Sequence, residues 1–380
     1  MRTERFPPGA AVSVEQLEGD PHALLARLRA DEPVSWLPAI GGWLVTRRDL
    51  ALAAMRDAAA FTVQDPRFTT AQVVGPSMLS LDGPEHDRHR APFVAPLRLG
   101  AVRETLAAAV REEAGLLLDR LEPAGEAELR RGFAGPLAAA VVTRALGLSH
   151  ADVDAVLGYY DAIVGAVSDL SAGRPARGEA VDAMDSLARA LRLDATGDLA
   201  EEEYVSNAAV MLFGGIETTE GMIANAIAHL LSHPDQLAAV RAEPELLANA
   251  IEESLRLEPA AAVIDRYATR ETELGGAQIR ERELVVLSIA GANRDPSVFP
   301  DPDRFDVGRA NARLHTAFAH GPHVCIGMHL ARLEAHTAIA QVLERLPGLR
   351  LEPGQEATPR GLVFRKPAAL RVRWGGGARG

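Results

Sequence analysis

Apolar residues recur at helical spacing through the middle of the chain and at strand spacing near its beginning and beyond residue 261. The stripe Leu106, Val110, Ala114, Leu117 and Leu118 opens a helical region continued by Leu137 to Leu146, Val153 to Val167, Ala180 to Leu193 and about Ala200 to Ser232. Gly173-Arg174-Pro175 and Ala195-Thr196-Gly197-Asp198 interrupt it. Before it, the pattern predicts a helix from Pro21 to Asp31, strands at 33–37 and 42–46, and a helix from Arg48 to Arg56. Residues 61–80, rich in Thr, Pro and Gly, read as a long ordered loop, and Asp82 with Pro84 as a helix start.

Beyond residue 261 short strand patterns appear at 263–268, 273–279 and 284–289, with Gly275-Gly276 marking a hairpin. Pro296, Pro300 and Pro302 make 293–312 a meander without regular structure. A helix from Met328 to about Leu346 follows, then strands near 362–364 and 370–374, and a glycine-rich tail expected to be mobile from about 375 to 380. These elements predict one helix-rich domain over 1–380 with small sheets at its edge.

Composition narrows the function classes. A net charge of −12 speaks against a general nucleic-acid binder, which needs a basic face. One cysteine in 380 residues leaves no internal disulfide and no thiolate-rich zinc site, which fits a reducing, cytoplasmic setting. No signal peptide or membrane anchor is visible, so a soluble protein is expected. Lys366 is the only lysine, and every other cation of this class is arginine.

Four constellations carry candidate chemistry. Cys325, the lone cysteine, lies in Phe318-Ala319-His320-Gly321-Pro322-His323-Val324-Cys325-Ile326-Gly327, just ahead of a helix. A helix N-terminus favours the thiolate there, and the flanking glycines admit a bulky group; the competing reading is a small buried hydrophobe. Gly214-Gly215-Ile216-Glu217-Thr218 sits inside a helix, where two glycines cost about 1 kcal/mol each relative to alanine. A closely packed helix or a ligand against the backbone would explain them. Thr218 can bond back to the Gly214 carbonyl, and Glu217 reads as a site carboxylate or as part of a solvated face. Glu253 and Arg256 share a helix face; if buried they need a third partner, for which Arg304 is the candidate. His86, Arg90, Arg266 and His323 are cationic or imidazole groups in apolar settings, suited to a buried anionic cofactor or to structural roles. A cysteine hydrolase using His320, His323 or His329 remains an alternative, but it leaves the glycine pair and the arginines unexplained.

Phe318-x-x-Gly321-x-x-x-Cys325-x-Gly327, Glu253-x-x-Arg256 and Gly214-Gly215-x-Glu217-Thr218, in this order, resemble the cytochrome P-450 heme-thiolate monooxygenases. The stretches 81–90 and 293–307 are similar to those of soluble bacterial members. The resemblance implies a mainly α fold with small β-sheets, a helical triangular prism with a long central helix across the heme. It implies heme b with Cys325 as axial ligand of the iron and Phe318 and Gly327 in the ligand loop. Gly214 and Gly215 would leave room for dioxygen, Thr218 would act on dioxygen, and Glu217 would relay protons. His86, Arg90, Arg266 and His323 would bind the heme propionates, while Glu253, Arg256 and Arg304 would form a structural triad.

The same resemblance implies electrons from a separate ferredoxin and ferredoxin reductase, docking near Arg90, Arg103 and Arg332. Its substrate would be an apolar small molecule, with secondary metabolism as one setting for it, in a pocket drawn from the 61–80 loop, Leu212, Phe213, 261–264, Val363 and Phe364. The expected reaction is hydroxylation or epoxidation; peroxygenase, coupling or rearrangement chemistry on the same heme-thiolate is the alternative.

Overall fold

The computed structural model describes residues 2–148, 153–171, 174–175, 178–191 and 197–375. The expected breaks fall partly outside these residues, at Gly173, Ala195 and Thr196, as does the glycine-rich end from 376 onward.

The helical middle of the chain is as its periodicity predicts. Ala107–Leu121, Gly135–Ala145, Val153–Ser171 and Glu179–Ala190 lead to Glu201–Ser232, a helix of 32 residues. At 1.5 Å per residue it is about 48 Å long, enough to cross the whole molecule. Its first turn carries Glu201, Glu202 and Glu203, which complement the positive end of the helix dipole. The helices Gly135–Ala145, Leu246–Leu257 and Met328–Arg345 pack around it. Val110, Leu118, Phe133, Ile223, Leu255 and Ile339 belong to the main core formed between them.

The main sheet gathers strands from both ends of the chain, in the order Val34–Leu37, Gly42–Val45, Leu284–Ser288, Val263–Ala268, Phe61–Thr62. Gly42–Val45 runs parallel to Leu284–Ser288 in the register Gly42↔Leu284 to Val45↔Leu287, and the other pairings are antiparallel. The glycine hairpin is present: Thr272–Leu274 pairs with Ala277–Ile279 across Gly275 and Gly276, whose φ values of +56° and +82° suit a two-residue turn.

Two expectations are corrected. Residues 61–80 are not all loop: Phe61–Thr62 joins the sheet, and Thr69–Val74 is a short helix too brief to show a period. Residues 362–364 form no strand. Only the isolated bridge Ala261↔Phe364 remains, because the chain turns at Gly361 with φ +119°. The helix start read at Asp82 and Pro84 is present: Gly83–Val94 begins there with Asp82 at its N-cap position, although the Asp82 carboxylate makes no cap bond and is drawn to other donors described below. Among the described residues no helix is long and apolar enough to cross a membrane.

Candidate functional site

The loop that ends in Cys325 is closed by its own backbone. The Cys325 N–H donates to the Phe318 carbonyl at 2.8 Å, and the Val324 N–H to that of Gly321 at 3.1 Å. Gly321 has φ +75°, and a Cβ there would run into the Met55 carbonyl at the end of the Arg48–Arg56 helix. Only glycine allows that approach. The Phe318 ring lies under the Arg332 guanidinium, 4.4 Å from its centroid. Arg332 in turn makes a two-pronged pair with Glu252 at 2.6 and 3.0 Å, and His315 reaches the same carboxylate at 2.9 Å. Burial would raise the Glu252 carboxyl, but His315 and Arg332 outweigh it and hold it at about 2.

Cys325 is a free cysteine, partly exposed and set deep in the molecule. Burial pushes its thiol up, against the Gly327 and Met328 N–H groups and the Arg90 and Arg332 guanidiniums that favour the thiolate. The helix start therefore helps the thiolate but does not by itself outweigh burial.

Glu253 and Arg256 are completely buried, joined at 2.6 and 2.9 Å. The third partner is Arg309, whose Nε donates to Glu253 Oε1 at 2.9 Å. Arg304 offers only its carbonyl, which accepts from Arg256 and Arg309 at 3.1 Å each, while its side chain faces solvent. The triad expected from Arg304 is thus completed five residues later, where the meander turns Arg309 inward.

His86, Arg90, Arg266 and His323 come together at one edge of the Cys325 loop. The His86 and His323 rings stand 4.5 Å apart, and Arg90 Nη2 donates to the Val324 carbonyl at 2.6 Å. His323 Nε2 turns to Asp82 at 2.8 Å rather than to Cys325, which removes it as a base for a cysteine nucleophile. Burial would raise the Asp82 carboxyl, but His323, the Thr62 hydroxyl and the Val63 N–H hold it at about 2. Burial, with His323 alongside, lowers His86. Two of these four groups each have a buried nitrogen without a hydrogen-bond partner among the described residues: His86 Nε2 and Arg266 Nη2. Of the arginines expected at a docking surface, Arg103 is exposed, whereas Arg90 and Arg332 are partly buried and already engaged.

The long helix presents a complementary face. Between Val205 and Ala228 every residue is buried except Met211, Gly214, Gly215 and Thr218. Their spacing of i, i+3, i+4 and i+7 is a single stripe, open to internal space. Thr218 Oγ1 donates to the Gly214 carbonyl at 2.6 Å, the back-bond its position predicts. The two glycines differ: a Cβ on Gly214 would meet nothing within 4 Å, but one on Gly215 would press on Val142 Cγ2 at 3.0 Å. Gly215 serves the packing of the Gly135–Ala145 helix, and the open room lies at Gly214.

Glu217 is not on a solvated face. It is buried, accepts from the Tyr160 hydroxyl and pairs with Lys366 Nζ at 2.7 Å. Tyr160, Glu220 and Arg309 are site neighbours that sequence reasoning missed, since none stands in a recognisable spacing. The one available signal was that Lys366 is unique in the chain.

Residues 170–361 match the family model described as cytochrome P450. The chain is 35% identical to the cytochrome P450 monooxygenase PikC of Streptomyces venezuelae, across 95% of this chain and 92% of that protein. It is 34% identical to nocardicin C N-oxygenase of Nocardia uniformis subsp. tsuyamanensis, across 98% and 99%. The fold superposes on P450BioI, solved in complex with an acyl carrier protein ligated to hexadec-9Z-enoic acid, with a TM-score of 0.84, 30% identity and coverage of 95% and 100%. By sequence and fold together, this chain belongs to the cytochrome P450 family of oxygen-incorporating oxidoreductases.

Proposed function

We propose that the chain binds heme b through Cys325 and inserts one oxygen atom from dioxygen into an apolar small molecule, taking electrons from a separate ferredoxin and ferredoxin reductase. The observation that carries this reading is a pair of buried nitrogens without partners, His86 Nε2 and Arg266 Nη2, beside the Cys325 loop. Buried polar groups are ordinarily satisfied, and the Arg266 guanidinium calls for an acceptor that the protein itself does not supply, with an imidazole nearby to share it. Propionates answer that need, with Arg90 and His323 adjoining.

The other residues fit the same group. Cys325 supplies the single thiol, and the open space at Gly214 and Gly327 admits a flat macrocycle between helix and loop. When bound, a thiolate-ligated heme supplies electron density that favours O–O cleavage. The chain's own part is to hold, orient and deliver protons. Phe318, Arg332 and Glu252 brace the loop from behind, and Glu253, Arg256 and Arg309 fix the segment that leads into it. Thr218 places its hydroxyl on the open face, and Glu217 beside it is the proton source. The substrate wall is apolar: Phe213 and Phe364 meet edge to face with ring centroids 5.5 Å apart.

The test is spectroscopic. Protein reconstituted with heme, reduced by dithionite and treated with carbon monoxide should show the red-shifted Soret band of a thiolate-ligated iron. Cys325→Ser should lose that shift while keeping the fold. An unshifted band in the parent protein would overturn the assignment of Cys325.

A further inference from the structure

The chain's only lysine lies on the side of the central helix that the open face does not use. Lys366 Nζ is 2.7 Å from Glu217 Oε1 and also contacts Glu220 Oε2, so it bridges two carboxylates one helical turn apart. The other Glu217 oxygen is taken by the Tyr160 hydroxyl from the Val153–Ser171 helix. Arg130 Nη1 and Arg131 Nε stand 3.6 and 3.7 Å from Glu220, and Arg131, about half exposed, also approaches Asp161 at 3.7 Å. Glu220 Oε1 is buried without a hydrogen-bond partner. Glu217, next in sequence to Thr218, is thus held from two directions on a face other than that of the threonine.

Lys366 is tied to the wall of the pocket through its own segment. Two residues before it, Phe364 rests edge-on against Phe213, next to Gly214. Val363 is exposed, and Arg365 anchors the segment to Glu258 at 2.6 Å and to the carbonyls of Gly19, Pro359 and Gly361. A Cβ on Gly221 would press on Ala260 Cβ at 2.9 Å and lie in ordinary contact with Lys366 Cβ at 3.7 Å, so the lysine stem runs directly over the central helix. Lysine suits such a bridge in a way that arginine does not. Its ammonium is a compact charge on a flexible stem, which a small rotation moves from one carboxylate toward the other.

We propose that Lys366 is a positioning residue that couples Glu217 to the loop over 359–367. In the arrangement described, the ammonium and the Tyr160 hydroxyl hold the Glu217 carboxylate away from Thr218. An apolar molecule pressing on Phe364 draws Lys366 off Glu217 while it stays on Glu220, and so releases Glu217 to turn to the open face. Proton delivery then waits for substrate. No electron moves in this step: Glu217 leaves as a carboxylate, and each proton that it hands on is replaced by one taken from solvent water. The inference rests on the reading of Thr218 and Glu217 as the oxygen-activating pair.

Because Lys366 is unique, lysine labelled with carbon-13 at Cε gives one side-chain NMR signal in holoenzyme carrying no lysine-bearing tag. Saturation with phenylimidazole, an apolar iron-binding probe, should move that signal, and Phe364→Ala should abolish the movement. A second measurement needs neither substrate nor redox partner. Dithionite-reduced holoenzyme mixed with oxygenated buffer should return to the ferric form about threefold faster in Lys366→Met than in the parent. If Lys366→Met fails to fold, Glu220→Gln with Lys366→Met keeps the charge balance and reads the same quantity. A lysine signal indifferent to the probe, or a return rate unchanged or slowed, overturns the coupling. The carbon monoxide spectrum of the same samples separates that outcome from failure of the heme-thiolate reading.

Discussion

Arg309 donates from Nε to Glu253 at 2.9 Å, closing a fully buried ion cluster whose other cation, Arg256, grips the same carboxylate from within its own helix. Removing Arg309 leaves the Glu253–Arg256 pair intact but strips a donor from Glu253 and from the carbonyls of Pro300, Asp301 and Arg304. Arg309→Ala should therefore cost about 1–3 kcal/mol, the penalty of buried acceptors left unsatisfied. Arg304→Ala, which deletes an exposed side chain and keeps the carbonyl, should change stability by about 0.5 kcal/mol or less. Urea unfolding of the two variants side by side checks the assignment.

The two helix glycines should respond differently to a methyl group. Gly214→Ala meets open space and should gain up to about 1 kcal/mol of helix propensity in ligand-free protein. Gly215→Ala must push Val142 aside and should gain nothing. Thermal midpoints of ligand-free protein separate the pair, and binding of an apolar azole should weaken only in Gly214→Ala.

His229 makes stability depend on pH. It is partly buried, bonds to Ser254 at 2.9 Å, and burial pushes it down to about 4 from an ordinary 6.5. Between those values the unfolded chain binds a proton that the folded protein refuses, so stability falls as pH drops from 6.5 to 4. This group alone contributes a loss of about 3 kcal/mol across the window. His229→Gln should flatten the curve there, as urea melts at stepped pH would show.

Asp82 and Glu252 act at lower pH. Both carboxyls are held at about 2, against ordinary values of 3.8 and 4.5. A depressed carboxyl stabilises the fold above its unfolded value and loses that contribution as pH falls toward the folded one. The Cys325 loop, held by His323 on one side and Arg332 on the other, should loosen between about pH 4.5 and 2. Asp82→Asn with Glu252→Gln should be less stable at pH 7 and lose less on acidification, read as the thermal midpoint at each pH.

What was legible in the sequence were features set by local spacing. The Glu201–Ser232 helix, the Gly275-Gly276 hairpin and the Thr218 back-bond each depend on residues within a few positions of one another. Long-range partnerships were not legible. Arg309 competes with Arg304 in a stretch without a period, and only the path of the meander decides which one turns inward. Asp82 marked a helix start correctly, but nothing local told that Thr62, Val63 and His323 would take its carboxylate. Tyr160 and Lys366 lie 57 and 149 positions from Glu217 on opposite sides in sequence, and no spacing rule joins them.

The parallel pairing of Gly42–Val45 with Leu284–Ser288 also sets an order of events during synthesis. The early strands leave the ribosome some 240 residues before the strand that completes their sheet. At about 5–20 residues per second, that gap lasts on the order of tens of seconds. Throughout it the Val34–Leu37 and Gly42–Val45 hairpin has an unpaired edge, with Trp43 and Val45 lacking the cover they later receive. The nascent chain is thus most exposed to aggregation at its beginning, and shielding of residues 34–45 is the need that this topology places on its folding environment.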